Sequence, residues 1–278
     1  MAVEKTANTP DDPFAGFKAT QRDAWALFAP FEAITTIPAA KLVKFARIAA
    51  GQRVLDVACG TGVVPVTAAR RGAIVSGLDL SPVLLERARR NAEIAEVTID
   101  FTEGDVEALP YPDASFDAVT SQFGHIFAPR PAIAIGEMLR VLKPGGTIAF
   151  NTWPPELFVG RQLAMLMRYA PPPPPGAPQP PSPMEWGMPD VVRERLGDAV
   201  TDLRFDRDVV MVPSLSPQHT RVMQEETLGL LRNILAAHQG QPEKLAEIRT
   251  AFEALIAENF EDNQLRQSFL MSRATKRG

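Results

Sequence analysis

Val54-Leu55-Asp56-Val57-Ala58-Cys59-Gly60-Thr61-Gly62 joins a short apolar run to an acidic, glycine-rich turn, and its reading decides the fold. Val54, Leu55, Val57 and Ala58 form a near-continuous hydrophobic segment, the pattern of a parallel strand covered on both faces. Gly60 and Gly62 let the backbone turn tightly and meet a ligand with no Cβ in the way. The run from Val63 to Arg71 then reads as a helix whose N-terminus faces that ligand. This is the crevice position at which open α/β sheets bind cofactors.

The glycine spacing selects among cofactors. A dinucleotide fingerprint is Gly-x-Gly-x-x-Gly, whereas Gly62 is followed here by Val63-Val64-Pro65 with no third glycine in register. A proline in the first helical turn is tolerated because that N–H has no intrahelical partner. Asp56 lies inside the motif, and its carboxylate would repel a pyrophosphate but not an ammonium. The turn therefore suits a cofactor with an amino acid end. Ile74-Val75-Ser76-Gly77-Leu78-Asp79 is a second buried strand ending in a carboxylate, roughly 20 residues after the glycine turn, the offset of a ribose-binding acid. Asp79 can accept hydrogen bonds from both ribose hydroxyls. Ser81-Pro82 starts the next helix as N-cap and first helical residue. The third strand, Ile99 to Glu103, runs into Gly104-Asp105-Val106-Glu107. A carboxylate there can accept from an adenine amino group while Val106 packs on the ring.

With these residues the chain resembles the class I S-adenosylmethionine-dependent methyltransferases, in the small-molecule group similar to the ubiquinone and menaquinone biosynthesis enzymes. The matching segments are Asp56 to Gly62, Gly77-Leu78-Asp79, Gly104-Asp105-Val106, Phe116-Asp117-Ala118-Val119 and Arg140-Val141-Leu142-Lys143-Pro144-Gly145-Gly146, in family order across residues 17–153. The resemblance implies a Rossmann-like, doubly wound, seven-stranded sheet with an antiparallel seventh strand and helical lid insertions. It implies S-adenosyl-L-methionine as cofactor, with S-adenosyl-L-homocysteine as product. Gly60 and Gly62 would border the methionine portion, with Asp56, Ala58 and Thr61 in the same turn. Asp79, next to Leu80, would hold the ribose; Gly104, Asp105 and Val106 would hold the adenine. Gln122 and Phe123, in the segment after the fourth strand that faces donor methyl and acceptor in the family, would contact the methionine portion. N-terminal helices fold over the cofactor in such enzymes, which puts Trp25 at the pocket.

Composition sets the outer bounds. The chain has 278 residues, 45% hydrophobic and 22% charged, ordinary values for a globular protein with ample material for a core. A net charge of −4 gives no electrostatic footprint for nucleic acid. No apolar stretch is long enough to span a bilayer, and the N-terminus does not read as a signal peptide, so a cytoplasmic location is expected. Cys59 is the sole cysteine, which rules out an intrachain disulfide; it reads as a small residue packed against a cofactor rather than a nucleophile.

Three regions are expected: 1–50, a disordered tail (1–13) and two lid helices (17–31, 39–49); 51–153, the cofactor-binding core; and 154–278, a proline-rich connector, a helical insertion and the last two strands of the sheet. Core strands are expected near 53–58, 74–78, 98–103, 116–121 and 147–152, and helices near 63–71, 82–95 and 131–142, an alternation that means a parallel, doubly wound sheet. Beyond residue 154 come an apolar helix over 157–169, the tract Pro171 to Pro175 with polyproline II character, a strand over 203–212, helices over 217–238 and 242–260, and a final strand over 265–272. The inserted helices could close an acceptor pocket or form a homodimer interface.

Methyl transfer is an in-line displacement at a sulfonium carbon, so the protein's main task is orientation, which supplies about 7–11 kcal/mol. A base is needed only for an acceptor that carries a proton at neutral pH. His125, in Ser121-Gln122-Phe123-Gly124-His125, is the candidate catalytic base. No cluster has metal-ligand spacing, so a metal-independent transfer to O, N or an activated C of a small molecule is expected. Two other classes compete. One is a catalytically silent S-adenosylmethionine-binding protein acting through partners. The other is an NAD-dependent oxidoreductase, disfavoured by the glycine spacing and the absence of a Tyr–Lys arrangement.

Overall fold

A computed structural model describes residues 12–172 and 175–278. Of the tail expected to be disordered over 1–13, residues 1–11 fall outside the described residues, as do two prolines of the connector, whereas Asp12 is held by Lys18 at 2.7 Å. In chain order, α1 (Ala15–Trp25) continues through a 3-10 segment (Ala26–Phe31) into α2 (Glu32–Phe45). The core follows as β1 (Arg53–Val57), α3 (Val63–Ala69), β2 (Ile74–Asp79), α4 (Pro82–Ile94), β3 (Ile99–Glu103), β4 (Phe116–Gln122), α5 (Pro131–Val141) and β5 (Leu142–Thr152). The last third contains α6 (Phe158–Met167), α7 (Pro189–Leu196), β6 (Val200–Pro213), α8 (Pro217–Thr227), α9 (Gly229–Ala237), α10 (Pro242–Ala257), β7 (Phe260–Glu261) and β8 (Gln264–Lys276).

The sheet runs β3-β2-β1-β4-β5-β8-β6; β1 to β5 are parallel, and β8 is antiparallel to both of its neighbours. This is the expected doubly wound sheet with one addition among the described residues: β7 pairs with β8, making eight strands rather than seven. Asp262 and Asn263 turn that hairpin with φ of 49° and 59°, the left-handed pair required by a two-residue connection matching strand twist.

Both faces of the sheet are covered, which is why its strands read as continuous apolar runs. On one face α5 and α7 meet β4 and β5 through Met138, Val141, Phe150 and Val192. On the other, α2 and α3 pack Leu42, Val43 and Val64 against Val54, Val75 and Ala118. A separate cluster joins α6, α9 and α10 to β6 and β8 through Phe158, Ile234, Phe252 and Phe269. β6 is an edge strand, and Asp202, Arg204, Asp206, Arg207 and Asp208 give it the charges that discourage a further strand from adding.

The element boundaries differ where local chemistry was misleading. The second lid helix begins at Glu32, seven residues before the expected start, because Pro38 is carried inside α2. Around the proline, Gln122 Nε2 donates to the Thr35 carbonyl at 2.8 Å, and Asn151 Nδ2 lies 3.5 Å from the Pro38 carbonyl. The expected helix over 217–238 is two helices separated at Leu228, whose backbone is extended. β5 starts at Leu142, since Phe116 pairs with it ahead of a register shift that absorbs Lys143-Pro144-Gly145-Gly146. No helix among the described residues is long and apolar enough to cross a membrane.

The exits of β1 and β4 press together. A Cβ added at Gly124 would sit 2.8 Å from the Ala58 carbonyl oxygen and closer still to the Ala58 Cβ. Gly124→Ala must therefore displace backbone, and a loss of about 1–3 kcal/mol is expected. Urea unfolding should show a lower midpoint at unchanged slope; an unaltered midpoint would mean that the two loops are not held in contact.

Candidate active site

β1, β2 and β3 lead their loops to one side of the sheet's centre, and β4 and β5 to the other, so a crevice opens between the β1 and β4 exits. At its base Asp56 is 1% exposed and faces Thr120 of the neighbouring strand, whose hydroxyl donates to Asp56 Oδ1 at 2.6 Å. Burial pushes the Asp56 carboxyl up to about 8; the Thr120 hydroxyl holds it back, and the negative charge of Asp79 adds to the rise. Folded and without a cation beside it, Asp56 is largely protonated at neutral pH.

Above it the chain turns through Ala58, Gly60 and Gly62, with φ of 51°, 54° and 81°. A left-handed alanine is uncommon and marks a backbone held by its surroundings. Asp79 is what holds it: Gly60 N donates to Asp79 Oδ2 at 2.7 Å, and Ser81 N donates to Oδ1 at 2.8 Å. Each carboxylate oxygen keeps a lone pair for a ligand hydroxyl. Burial raises the Asp79 pKa, and the amides of Ser81, Gly60 and Leu80 oppose that rise. The two loop glycines have different duties. A Cβ at Gly62 would crowd Ala88 and Phe101 at 3.0 and 3.2 Å, whereas a Cβ at Gly60 would meet no described atom within 4 Å. The open space over Gly60, flanked by Asp79, fits an adenosyl amino acid at this turn. Thr61 is buried in the same turn, and its carbonyl accepts from Asn91 Nδ2 at 2.9 Å. Cys59 is buried with its thiol pushed well above the usual range by desolvation, so it stays protonated.

At the β3 exit, Gly104 lies against Leu78, and Val106 is buried in the core cluster beneath β2. Asp105 is buried and doubly engaged. Glu107 N donates to Asp105 Oδ1 at 2.9 Å, and Lys18 Nζ of α1 lies 2.6 Å from Oδ2. The same ammonium reaches Glu107 Oε2 at 2.6 Å and Asp12 Oδ2 at 2.7 Å. Arg130 adds its Nη2 to Glu107 Oε2 at 2.6 Å and its backbone N–H to Glu107 Oε1 at 2.6 Å. Asp12, Asp105 and Glu107 come close enough together to resemble a cation site, and the Lys18 ammonium sits among them.

At the β4 exit, Gln122 bridges to α2 as described, and Asn151 Nδ2 approaches Gln122 Oε1 at 3.4 Å. Phe123 has φ of 61°, a conformation a bulky residue adopts only when its surroundings impose it. Its ring stacks on Trp153 with centroids 3.9 Å apart and meets Phe269 edge-on at 5.6 Å. Trp25 is half-buried, 4.7 Å from the Phe127 ring. The inserted helices belong to this side of the molecule: α9 touches α1 and α6, and α8 touches α10 and the 3-10 segment after α1.

His125 lies apart from this group. It is 1% exposed, wedged between Phe150 and Trp186 at centroid distances of 4.7 and 4.8 Å. Neither ring nitrogen has a hydrogen-bond partner among the described residues. Burial, with Arg195 adding to it, pushes its pKa down to about 3. The fold thus gathers Asp56, Ala58, Gly60, Thr61, Gly62, Asp79 and Leu80 around one turn, brings the 104–106 and 122–123 loops to its rim, sets Trp25 against Phe127 after β4, and seals His125 beneath. Sequence reasoning passed over Lys18, Arg130, Asn151 and Trp153, none of which carries a local motif.

Comparison with known proteins places this architecture. The methyltransferase-domain family matches residues 55–150, from within β1 to within β5. The chain is 34% identical to Rv1403c of Mycobacterium tuberculosis over 275 residues, 98% of this chain and 99% of the relative. It is 40% identical to Rv1405c of the same organism over 210 residues, 74% and 76% of the two chains. Demethylmenaquinone methyltransferase of Thermus thermophilus is 44% identical over 108 residues, 38% of this chain and 49% of that enzyme, so the match spans about half the enzyme's length. Among solved structures, the Bacillus YcgJ protein superposes with a TM-score of 0.57 at 19% identity, covering 86% of this chain and 98% of that one. A SAM-dependent methyltransferase of Thermotoga maritima gives 0.51 at 17% identity, covering 95% and 99%. These two likenesses are of fold. The chain belongs to the class I S-adenosylmethionine-dependent methyltransferases. It is an enzyme of that class, with S-adenosylmethionine as its cofactor.

The buried Asp56 makes a pH prediction. Its folded pKa of about 8 lies above the unfolded value near 3.9, so its contribution to stability is full below pH 4 and is lost as pH rises towards 8. Asp56→Asn removes that loss. In urea titrations of the ligand-free protein, the difference between variant and wild type should move in the variant's favour from pH 4 to pH 8. A difference independent of pH would place an ionised carboxylate at Asp56 throughout.

Proposed function

We propose that the chain transfers the methyl group of S-adenosylmethionine to O, N or an activated C of a small, apolar, ring-bearing acceptor in the cytoplasm, by in-line displacement without a metal. The observation that carries this reading is the juxtaposition of two unlike halves. Open space over Gly60 beside Asp79 suits the donor, and the aromatic group Phe123, Trp153 and Phe269 stands at the exits of the neighbouring strands.

In this reading Asp79 holds the ribose, Asp105 the adenine edge, and the turn at Ala58 to Gly62, with Asp56 below, the amino acid end. The bound donor supplies an already activated methyl group, so the residues mainly orient and exclude water. Gln122 and Asn151 fix α2 over the strand tips, and Phe123 and Trp153 offer flat apolar surface to an acceptor ring. Charge is dispersed as a neutral nucleophile meets a sulfonium, and a poorly solvated wall suits that change. The name of the Thermus relative makes ring carbons and hydroxyls of hydroquinones the first acceptors to try.

The test is calorimetric titration with S-adenosylmethionine, S-adenosylhomocysteine and NAD, on wild type and Asp79→Ala. Binding of the two adenosyl compounds alone is expected, weakened about 10- to 100-fold in the variant, as for loss of hydrogen bonds to a charged group. Binding of NAD instead, or equal affinity in Asp79→Ala, would overturn the assignment of this turn. Transfer of labelled methyl to naphthoquinols, phenols and amines then sorts acceptors.

For His125 the geometry supports packing rather than the proton transfer that the sequence suggested. A ring held neutral to about pH 3 and closed in by Phe150 and Trp186 is a poor proton acceptor. The unfolded ring titrates near 6.5, so its contribution to stability is full above that pH and is lost as pH falls towards 3. His125→Phe should therefore keep turnover and resist acid better than wild type between pH 6 and 4. Loss of turnover with donor affinity intact would restore His125 as the base.

A further inference from the structure

Lys18, Arg22 and Trp25 are spaced i, i+4 and i+7, so they share one face of α1. Between them they reach two strand exits, those of β3 and β4. Lys18 engages Asp105 and Glu107 after β3, Arg22 Nη1 lies 3.7 Å from Glu103 Oε1 at the end of that strand, and Trp25 stacks near Phe127 after β4. From another side α9 closes in, since a Cβ on Gly229 would stand 3.1 Å from the Ala24 Cβ. The three anchors are unequal. Arg22 and Glu103 are exposed and contribute little, whereas the Lys18 side chain is 8% exposed and its carboxylate partners are as deeply buried. Three carboxylates and two cations leave the cluster with one net negative charge. Without Lys18, Arg130 would remain against the three carboxylates, and it pairs with Glu107 and Asp12 but has no bond to Asp105 among the described residues.

We propose that Lys18 is a positioning residue for the methyl donor: acting through Asp105 and Glu107, it latches α1 across the adenine end of the site and sets how slowly the donor leaves. The proposal rests on the reading that Asp105 borders the adenine. One lone pair on each Asp105 oxygen is taken, by Lys18 and by Glu107 N–H, and the rest of the carboxylate is held in a fixed orientation for the base edge. The latch and the base therefore use the same carboxylate side by side.

The experiment is stopped-flow dissociation of S-adenosylhomocysteine from wild type, Lys18→Met, Lys18→Arg and Phe252→Leu. Phe252 lies in the α10 core, away from the latch, and its variant controls for a general loss of stability. Expected is dissociation at least tenfold faster in Lys18→Met, with association changed less than threefold. Lys18→Arg should recover most of the difference, and Phe252→Leu should match wild type. Tryptic cleavage after Arg22 should be suppressed by S-adenosylhomocysteine in wild type and no longer in Lys18→Met. Unchanged dissociation in Lys18→Met overturns the latch, as does equal acceleration in Phe252→Leu. Slower dissociation in Lys18→Met also overturns it, because Lys18 would then compete with the base. Failure of wild type to bind S-adenosylhomocysteine is a distinct result: it removes the donor reading, and the latch with it.

Discussion

Everything in the site follows from the parting of β1 and β4 at the centre of the sheet. These strands are hydrogen-bonded neighbours, yet β1 continues into α3 on one face while β4 continues towards α5 on the other. Two adjacent parallel strands that send their helices to opposite faces cannot cover the space beyond their own tips. The fold closes this gap below and leaves it open above. Below, Thr120 reaches across to Asp56, and Gly124 lets the β4 exit rest on Ala58. Above, the chain swings away through three left-handed residues and exposes the turn at Gly60. Asp79, one strand further out, keeps that turn from collapsing by accepting its amide.

The same arrangement concentrates negative charge in a place with little water. Asp56 and Asp79 are both buried, and each disfavours ionisation of the other group or of Cys59 between them. Asp79 is stabilised as an anion by backbone amides, whereas Asp56 has a single hydroxyl. Asp79 is thus an acceptor fixed in place by the backbone, and Asp56 is the group whose proton can be exchanged for an external cation. A ligand that brings a positive charge beside Asp56 draws that carboxyl back towards its ordinary range, so binding such a ligand near neutral pH releases a proton. Asp105, by contrast, is met by a lysine from a distant helix.

How far the sequence could be read depends on how local each feature is. The turn from Asp56 to Gly62, the offset to Asp79 and the alternation of apolar runs with helical segments are properties of neighbouring residues, and the central strands fall where those patterns put them. The β7 hairpin was illegible because Asp262-Asn263 takes up left-handed backbone without a glycine to announce it. The second lid helix was read as starting at Ala39, just after Pro38, whereas α2 carries that proline inside it, beside carbonyls met by Gln122 and Asn151 from over 80 residues away. His125 carries the right chemistry at a suggestive position, but its burial is decided by Trp186, which arrives from beyond the proline-rich connector. The cluster of Asp12, Lys18, Asp105, Glu107 and Arg130 spans more than a hundred positions of sequence, and no pattern short of the fold brings it together.

That distinction between local and distant also separates the two substrates. In the proposed reading the donor is met mostly by backbone geometry and by carboxylates at strand tips, features bound to the sheet itself and therefore written in short motifs. In the same proposed reading the acceptor side is met by the side chains of Phe123 and Trp153, near helices such as α9, which meets α1 at Ala24 and Gly229. Those two helices are joined by no strand pairing and by no local signal, but by a contact that leaves little room for a side chain at position 229. A surface assembled in that way can change its occupant by exchanging side chains on helices that carry none of the sheet's hydrogen bonds. The donor half cannot change so freely, because Asp56, Gly60 and Asp79 maintain the crevice as well as its ligand.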